Sequence, residues 1–365
     1  MKILAIETSC DDTCIAILQK KEGKLKFLSS TLSSQIEVHR EWGGVYPTLA
    51  KREHQKNLVP VLKKSLKEAS LLEKGGSYKE VSEILKREEV LAENLTQFLK
   101  KHNAPDIDYL AVTVGPGLDP SLWVGINFAK TLAFNWNKPV IPVNHIKAHF
   151  LAPLVLEGGS FPTVSLLASG GHTQLITSKD LKTHTVIGKT RDDAAGECFD
   201  KTARIIGLDY PGGPEIAKLV KEETDKKVSL PRPMIKSKNY DFSFSGLKTA
   251  VLYKWKDEKD KTKDFKVAMA KEIQQAITDV LVEKTFKAVE EYNAKTVVVG
   301  GGVSANLMLR EKIKKRGKKI KVILPDLDFS TDNAKMIAVT AACENESPLT
   351  VDWKELESKP NLKIN

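Results

Sequence analysis

The chain has 365 residues, enough for two domains with cores of their own. Apolar residues make up 41% and charged residues 28%, a globular composition that excludes a disordered chain. The net charge of +10, from 57 basic and 47 acidic side chains, suits a polyanion such as nucleic acid, and equally a solvated lysine-rich surface. No apolar run approaches the roughly 18 residues that span a bilayer. Glu7 breaks the first apolar stretch too early for a secretory leader, so a cytoplasmic protein is expected. Cys10, Cys14, Cys198 and Cys343 form no C-x-x-C pair and read as reduced thiols. Zinc held by Cys10 and Cys14 would lack two further ligands nearby.

In chain order, residues 2–8 and 13–19 read as strands joined by the turn Ser9-Cys10-Asp11-Asp12, with a third strand near 25–32 and a helix over 47–69. Residues 70–104 are rich in Lys, Glu and Leu and read as one or two helices inserted on the surface. The core pattern resumes with a strand at 108–114, a helix at 122–136, a strand at 139–143 and a helix through His145 and His149. A second unit opens with strands at 163–168 and 172–177. Helices follow at 194–206 and 265–291, then a strand at 296–299, a helix at 305–314, a strand at 321–324 and a last helix from Thr331. Each half begins with hairpin strands and ends in strand–glycine turn–helix units. That mixture predicts an α/β protein, a duplicated RNase H-like arrangement with a central cleft. The expected lobes are 1–150, carrying the 70–104 insertion, and 151–345, followed by a polar tail at 346–365.

Four turns place glycines at strand or helix ends: Gly115-Pro116-Gly117, Ser169-Gly170-Gly171, Pro211-Gly212-Gly213-Pro214 and Gly300-Gly301-Gly302. Glycine lets backbone N–H groups converge on a phosphate, and a helix start beyond adds a favourable dipole. One such turn would be weak evidence, whereas four in an α/β chain point to a nucleotide. None matches a P-loop or a G-x-G-x-x-G fingerprint, so the nucleotide is expected between lobes. His145 and His149 are four apart, which on a helix puts both imidazoles on one face, as two ligands of one metal require. The plainer alternative is a pair of surface or capping histidines. Asp332, in Ser330-Thr331-Asp332-Asn333, is the best third ligand, although an aspartate at a helix start also commonly acts as an N-cap. Two imidazoles and a carboxylate leave coordination positions open for a substrate oxygen.

In combination these segments are specific: Ile6-Glu7-Thr8-Ser9-Cys10-Asp11-Asp12-Thr13, Gly43-Gly44-Val45-Tyr46-Pro47, Val114-Gly115-Pro116-Gly117-Leu118, His145-x-x-x-His149, Ser169-Gly170-Gly171-His172-Thr173, Asp192-Asp193-Ala194-Ala195-Gly196-Glu197, Gly207-Leu208-Asp209-Tyr210-Pro211-Gly212-Gly213, Phe244-Ser245-Gly246-Leu247-Lys248 and Gly300-Gly301-Gly302-Val303-Ser304-Ala305-Asn306. With them the chain resembles the TsaD/Gcp family of tRNA adenosine threonylcarbamoyltransferases, from residue 1 to about 343 apart from the 70–104 segment. The resemblance implies a two-lobed fold of the actin/Hsp70/sugar-kinase (ASKHA) type. It implies one divalent metal on His145, His149 and Asp332, Fe2+ ahead of Zn2+, though the donor set suits both. It implies nucleotide and substrate contacts at Ala168, Ser169, Gly170, Gly171, His172, Asp200, Gly213 and Asn306, with threonylcarbamoyl-AMP, AMP or ATP as ligand. It further implies Asp11 as catalytic residue, tRNA as substrate, and TsaB-like and TsaE-like partner proteins. Asp12, Thr48 and Lys147 stand where the family usually has Glu, and Asp119-Pro120-Ser121-Leu122-Trp123 replaces a smaller, more apolar run.

The reaction so implied transfers threonylcarbamoyl to the exocyclic amine of the adenosine 3′ to the anticodon, in tRNAs reading codons that begin with adenine. A carbamoyltransferase or kinase of the same fold acting on a small acceptor is the alternative. A metalloprotease would need H-E-x-x-H, and Ile146-Lys147-Ala148 between the histidines supplies no such Glu. A non-catalytic scaffold of this fold would lack the histidine pair.

Overall fold

The computed structural model describes residues 1–76, 78–343 and 349–364. The chain divides into two units, Met1–Val155 with Asp332–Ile364, and Leu156–Thr331. In the first unit β1 (Lys2–Glu7), β2 (Thr13–Lys21), β3 (Lys24–Ser33), β4 (Tyr109–Gly115) and β5 (Val140–Asn144) form one sheet in the order β3-β2-β1-β4-β5. The hairpin strands are antiparallel, and β1, β4 and β5 are parallel. The second unit repeats this plan. Here β6 (Thr163–Ala168), β7 (Thr173–Ser178), β8 (His184–Lys189), β9 (Thr296–Gly300) and β10 (Lys321–Ile323) run in the order β10-β9-β6-β7-β8, with β6, β9 and β10 parallel. Reversing the order superposes it on the first sheet, so the expected duplicated RNase H-like α/β architecture is what the chain forms.

The central strands are apolar on both faces, as a sheet covered on two sides requires. In β1, Leu4 and Ile6 join the core with Leu58 and Leu62 of the helix Pro47–Glu68 and with Ile126 and Phe128 of the helix Asp119–Trp136. The alternate residues Ile3 and Ala5 face the other way, onto Ala148 and Ala152 of the helix His145–Leu156 and Ile337, Ala338 and Ala341 of the helix Ala334–Cys343. That second face explains a shift from the expected boundaries. The last helix and the segment after it return to the first unit, because the first sheet needs a cover that residues 1–155 supply only in part.

The expected polar tail is docked in its described part. The Val351 N–H donates to the Val140 carbonyl at 3.0 Å, the Trp353 ring lies 5.4 Å from that of Phe134, and Leu356 is buried in the first core. Residues 344–348, which include the expected lobe end, lie outside the described residues. The described residues of the 70–104 segment form one helix, Glu89–Leu99. The segment is no surface elaboration, since Val81, Leu85, Leu91, Leu95 and Phe98 all enter the first core. Among the described residues, the elements that escaped the sequence pattern are β8, the helices Ile36–Arg40, Gly212–Leu219, Ser245–Asp257 and Leu327–Ser330, and the 3-10 turns Gly302–Ala305 and Trp353–Glu355. Among the described residues no helix is long and apolar enough to cross a membrane.

Candidate metal centre and glycine-lined turns

Because β1, β4 and β5 are parallel, their carboxyl ends share one edge of the first sheet. Glu7 ends β1, and His145 opens a helix directly after β5. The Asn144 side-chain oxygen starts that helix by accepting the Lys147 N–H at 3.0 Å. One turn apart, His145 and His149 bring their Nε2 atoms to 3.2 Å. Asp332 Oδ1 lies 3.1 Å from Nε2 of His149 and 3.5 Å from Nε2 of His145. Within a sphere of ligand atoms no more than 4.8 Å apart, two nitrogens and one carboxylate oxygen therefore converge. The Cys14 thiol reaches the Asp332 carbonyl at 3.6 Å and ties this segment to β2. At the start of the last helix, Asn333 Oδ1 accepts the Met336 N–H at 3.0 Å, a capping bond.

Glu7 is completely buried. It accepts the Ser9 N–H at 2.6 Å, the Thr113 hydroxyl at 2.7 Å and His145 Nδ1 at 2.9 Å. A carboxylate only accepts, so Nδ1 of His145 carries the proton and Nε2 faces His149 and Asp332. Burial alone would lower the His145 pKa, but the charges of Asp332 and Glu7 outweigh it and raise it to about 9. Burial likewise pushes Glu7 up, and the charge and hydrogen bond of His145 hold it below the ordinary carboxylate range. Burial keeps His149 below the usual imidazole value. The two rings thus differ: the carboxylates dominate at His145, and burial dominates at His149. Among the described residues Cys10 and Cys14 take no part in a metal-ligand cluster, and burial pushes both thiols well above the usual range.

The turn between β1 and β2 carries Asp11 and Asp12. Burial raises the pKa of Asp11, and burial with the charges of Asp11 and Asp332 raises Asp12 to about 7. Beneath it lies His54, which sequence reading passed over. His54 falls in the buried stripe Ala50–His54–Leu58–Leu62, whose spacing of four was the available signal. Its Nε2–H donates to the Cys10 carbonyl at 3.0 Å, and its Nδ1 accepts the Thr13 hydroxyl at 2.7 Å. Gln35 adds a second donor toward Nδ1 at 3.4 Å and links to His39.

The expected nucleotide residues belong to the second unit, around the carboxyl ends of β6 and β9. Ala168 ends β6 one residue beyond the Leu167–Gly300 pair, and a Cβ on Gly301, whose φ is +83°, would stand 2.5 Å from the Ala168 carbonyl oxygen. The Ser169 carbonyl accepts the Gly196 N–H at 3.0 Å, which seats the helix Ala195–Ile205 on this turn. Within the turn, the Ser169 N–H donates to the His172 carbonyl at 2.8 Å, and the Ser169 hydroxyl accepts the His172 N–H at 3.1 Å. Farther along that helix, Asp200 accepts the Gly212 N–H at 2.7 Å. Asn306 accepts the Leu309 N–H at 3.1 Å and donates to Gln274 at 2.8 Å. Gly170, Gly171, Gly213 and Gly302 have open space where a side chain would stand. The Gly115-Pro116-Gly117 turn, in contrast, is filled: Lys359 N–H donates to the Val114 carbonyl, and a Cβ on Gly115 would meet the Lys359 carbonyl oxygen at 1.9 Å. Its glycines serve backbone packing against the docked tail and Ser9, and the reading of that turn as a phosphate cradle is corrected.

The sequence pattern described as "TsaD: tRNA N6-adenosine threonylcarbamoyltransferase" matches residues 26–74 and 86–339. Only 75–85 interrupts the match, so most of the supposed 70–104 insertion lies within the pattern. The tRNA N6-adenosine threonylcarbamoyltransferase of Persephonella marina is 46% identical over 370 residues, covering all of this chain and 96% of that protein. The enzyme of the same name from Thermosipho africanus is 44% identical over 368 residues, covering both chains in full. Among solved structures, HypF of T. kodakarensis has a TM-score of 0.56 at 12% identity, over 93% of this chain and 46% of that one. A full-length HypF in a phosphate- and nucleotide-bound form has a TM-score of 0.54 at 12% identity, over 94% and 47%. These two share the fold alone. With a family match over most of its length and relatives aligned from end to end, the chain belongs to the TsaD family, the tRNA N6-adenosine threonylcarbamoyltransferases, and is a tRNA-modifying transferase.

Proposed function

We propose that this enzyme transfers threonylcarbamoyl from threonylcarbamoyl-AMP to the exocyclic amine of the adenosine 3′ to the anticodon, in tRNAs reading codons that begin with adenine, with one divalent cation held by His145, His149 and Asp332. The observation that carries the reading is the convergence of the two Nε2 atoms and Asp332 Oδ1. Their donor chemistry fits Fe2+, the ion proposed here, and also Zn2+. Bound there, such an ion supplies Lewis acidity toward a carbonyl or phosphate oxygen.

The chain's own residues do the rest. The accepting amine is a poor nucleophile, because its lone pair is delocalised into the purine ring, so it must be positioned and relieved of a proton. Asp11 takes that proton while the new N–C bond forms and the bond from the carbamoyl carbon to the AMP oxygen breaks, AMP leaving with the electron pair. The turn Ala168–His172, with Asp200, Gly213 and Asn306, contacts the adenylate. The open sides of Gly170, Gly171 and Gly213 support this, since no atom of the protein fills the space a side chain would take there and a phosphate can come close to the backbone. TsaB-like and TsaE-like proteins complete the proposed system, which operates in the cytoplasm.

The test incubates the protein and those partners with unmodified tRNA and threonylcarbamoyl-AMP, followed by nucleoside mass spectrometry. Threonylcarbamoyladenosine formed by the wild type and not by His145→Ala is the expected result. Metal-loaded wild type that makes none would turn the reading toward carbamoyl transfer to a small acceptor.

A further inference from the structure

We propose that Glu7 is a positioning residue of the metal centre: it holds His145 with Nε2 toward the cation and supplies the second negative charge that, with Asp332, balances a divalent ion. The inference rests on the cation site proposed above and deepens it.

The geometry separates the two imidazoles. His145 is preset, because its Nδ1 points at Glu7 Oε2 at 2.9 Å while Ser9 Oγ stands 3.1 Å from the same nitrogen. His149 is not, for its Nδ1 is buried with no hydrogen-bond partner among the described residues. Glu7 itself cannot swing away. Both its oxygens are engaged, Oε1 by the Ser9 N–H and Oε2 by Thr113, and its backbone is the last residue of a central strand paired on both sides. A buried carboxylate in contact with the outer nitrogen of a metal-binding histidine fixes the ring orientation and raises the basicity of the inner nitrogen. It also answers why a carboxylate is buried at this point at all. Glu7 touches His145, and Asp332 lies against both His145 and His149, so a divalent cation at the two Nε2 atoms would have an acidic group on either side. The competing account makes Glu7 only a pin for the Ser9 turn and β4.

Purified full-length protein would be titrated with Co2+ against a chromophoric chelator, reading both Kd and the visible cobalt absorption bands. The variants are Glu7→Gln, which keeps shape and removes charge, and Thr113→Val, which removes one pinning bond and leaves His145 untouched. Glu7→Gln should weaken Co2+ binding by about 10–100-fold and shift the bands, with Thr113→Val staying near wild type. Unchanged affinity and bands in folded Glu7→Gln would overturn the proposal, and so would equal losses in both variants. Should Glu7→Gln fail to fold, imidazole 15N spectra of the Zn2+-loaded wild type decide instead. A protonated Nδ1 and metal-bound Nε2 on His145 support the assignment, and the opposite tautomer refutes it. Wild type that takes up no Co2+ would instead remove the cation site itself.

Discussion

Acidification should strip stability from the first unit through His54. The ring is fully buried, and burial lowers its pKa from 6.5 to about 4, only partly opposed by its bond to the Cys10 carbonyl and the charge of Glu7. Its partners fix the neutral form: Nε2–H donates to a carbonyl, and Nδ1 accepts from Thr13. The folded state thus takes up the His54 proton less readily than the unfolded chain. Its contribution is complete above about pH 6.5, declines as the pH falls, and is gone below about pH 4. A difference of about 2.5 units corresponds to roughly 3 kcal/mol over that window, roughly 2 kcal/mol of it lost by pH 5. Urea unfolding followed by circular dichroism at pH 7, 6 and 5 would measure the loss. His54→Gln removes the titrating group. It should be less stable than wild type at pH 7 by about 1–3 kcal/mol, for the buried hydrogen bonds it gives up. That gap should narrow by roughly 2 kcal/mol at pH 5. Parallel pH–stability curves for the two proteins would refute the assignment.

Neighbouring residues at the start of the last helix should behave oppositely. Asn333→Ala should cost about 1 kcal/mol in thermal or urea unfolding while metal stoichiometry is kept, and Asp332→Asn should lose the metal with little change in metal-free stability. Leu356→Ala should destabilise the protein by about 2–5 kcal/mol, measured by urea unfolding, because this side chain is 2% exposed in the first core; a neutral result would mean the docked segment adds nothing to it. Gly301→Ala should cost about 1–3 kcal/mol, since φ is +83° and the new Cβ would press on the Ala168 carbonyl. Affinity for tRNA should fall steeply between 50 and 200 mM salt, by about 10³-fold or more if six or more phosphates are contacted, and a flat response in filter binding would remove the electrostatic argument.

Much of the site was written in local spacing. His145 and His149 are four apart, so any helix there must put them on one face. The strand–glycine turns marked the ends of β6 and β9, and the hairpin-then-crossover pattern repeated in both halves. Glu7 was invisible as a partner of His145, because 138 positions separate them and only the parallel pairing of β1, β4 and β5 brings their ends together. The choice between Asp332 as ligand and Asp332 as helix cap also could not be made from one dimension. Both jobs suit an aspartate before a helix; what only the fold adds is that Asp332 Oδ1 stands 3.1 Å from His149 Nε2, while Asn333 accepts the Met336 N–H.

Glycine carried the same ambiguity. Gly115, Gly170 and Gly213 look alike in sequence, since each only permits a close approach. At Gly115 the approaching group is the Lys359 carbonyl of the chain's own tail, whereas Gly170 and Gly213 stay open. By itself, then, the sequence determined the family, the repeated α/β plan and the histidine pair, all of which rest on local periodicity or on motifs that survive as strings. Tertiary structure alone decided that residues 332–364 return to the first unit, which carboxylate orients His145, and which glycine turns remain open. Those depend on groups far apart in the chain competing for the same space, and no local pattern records the winner.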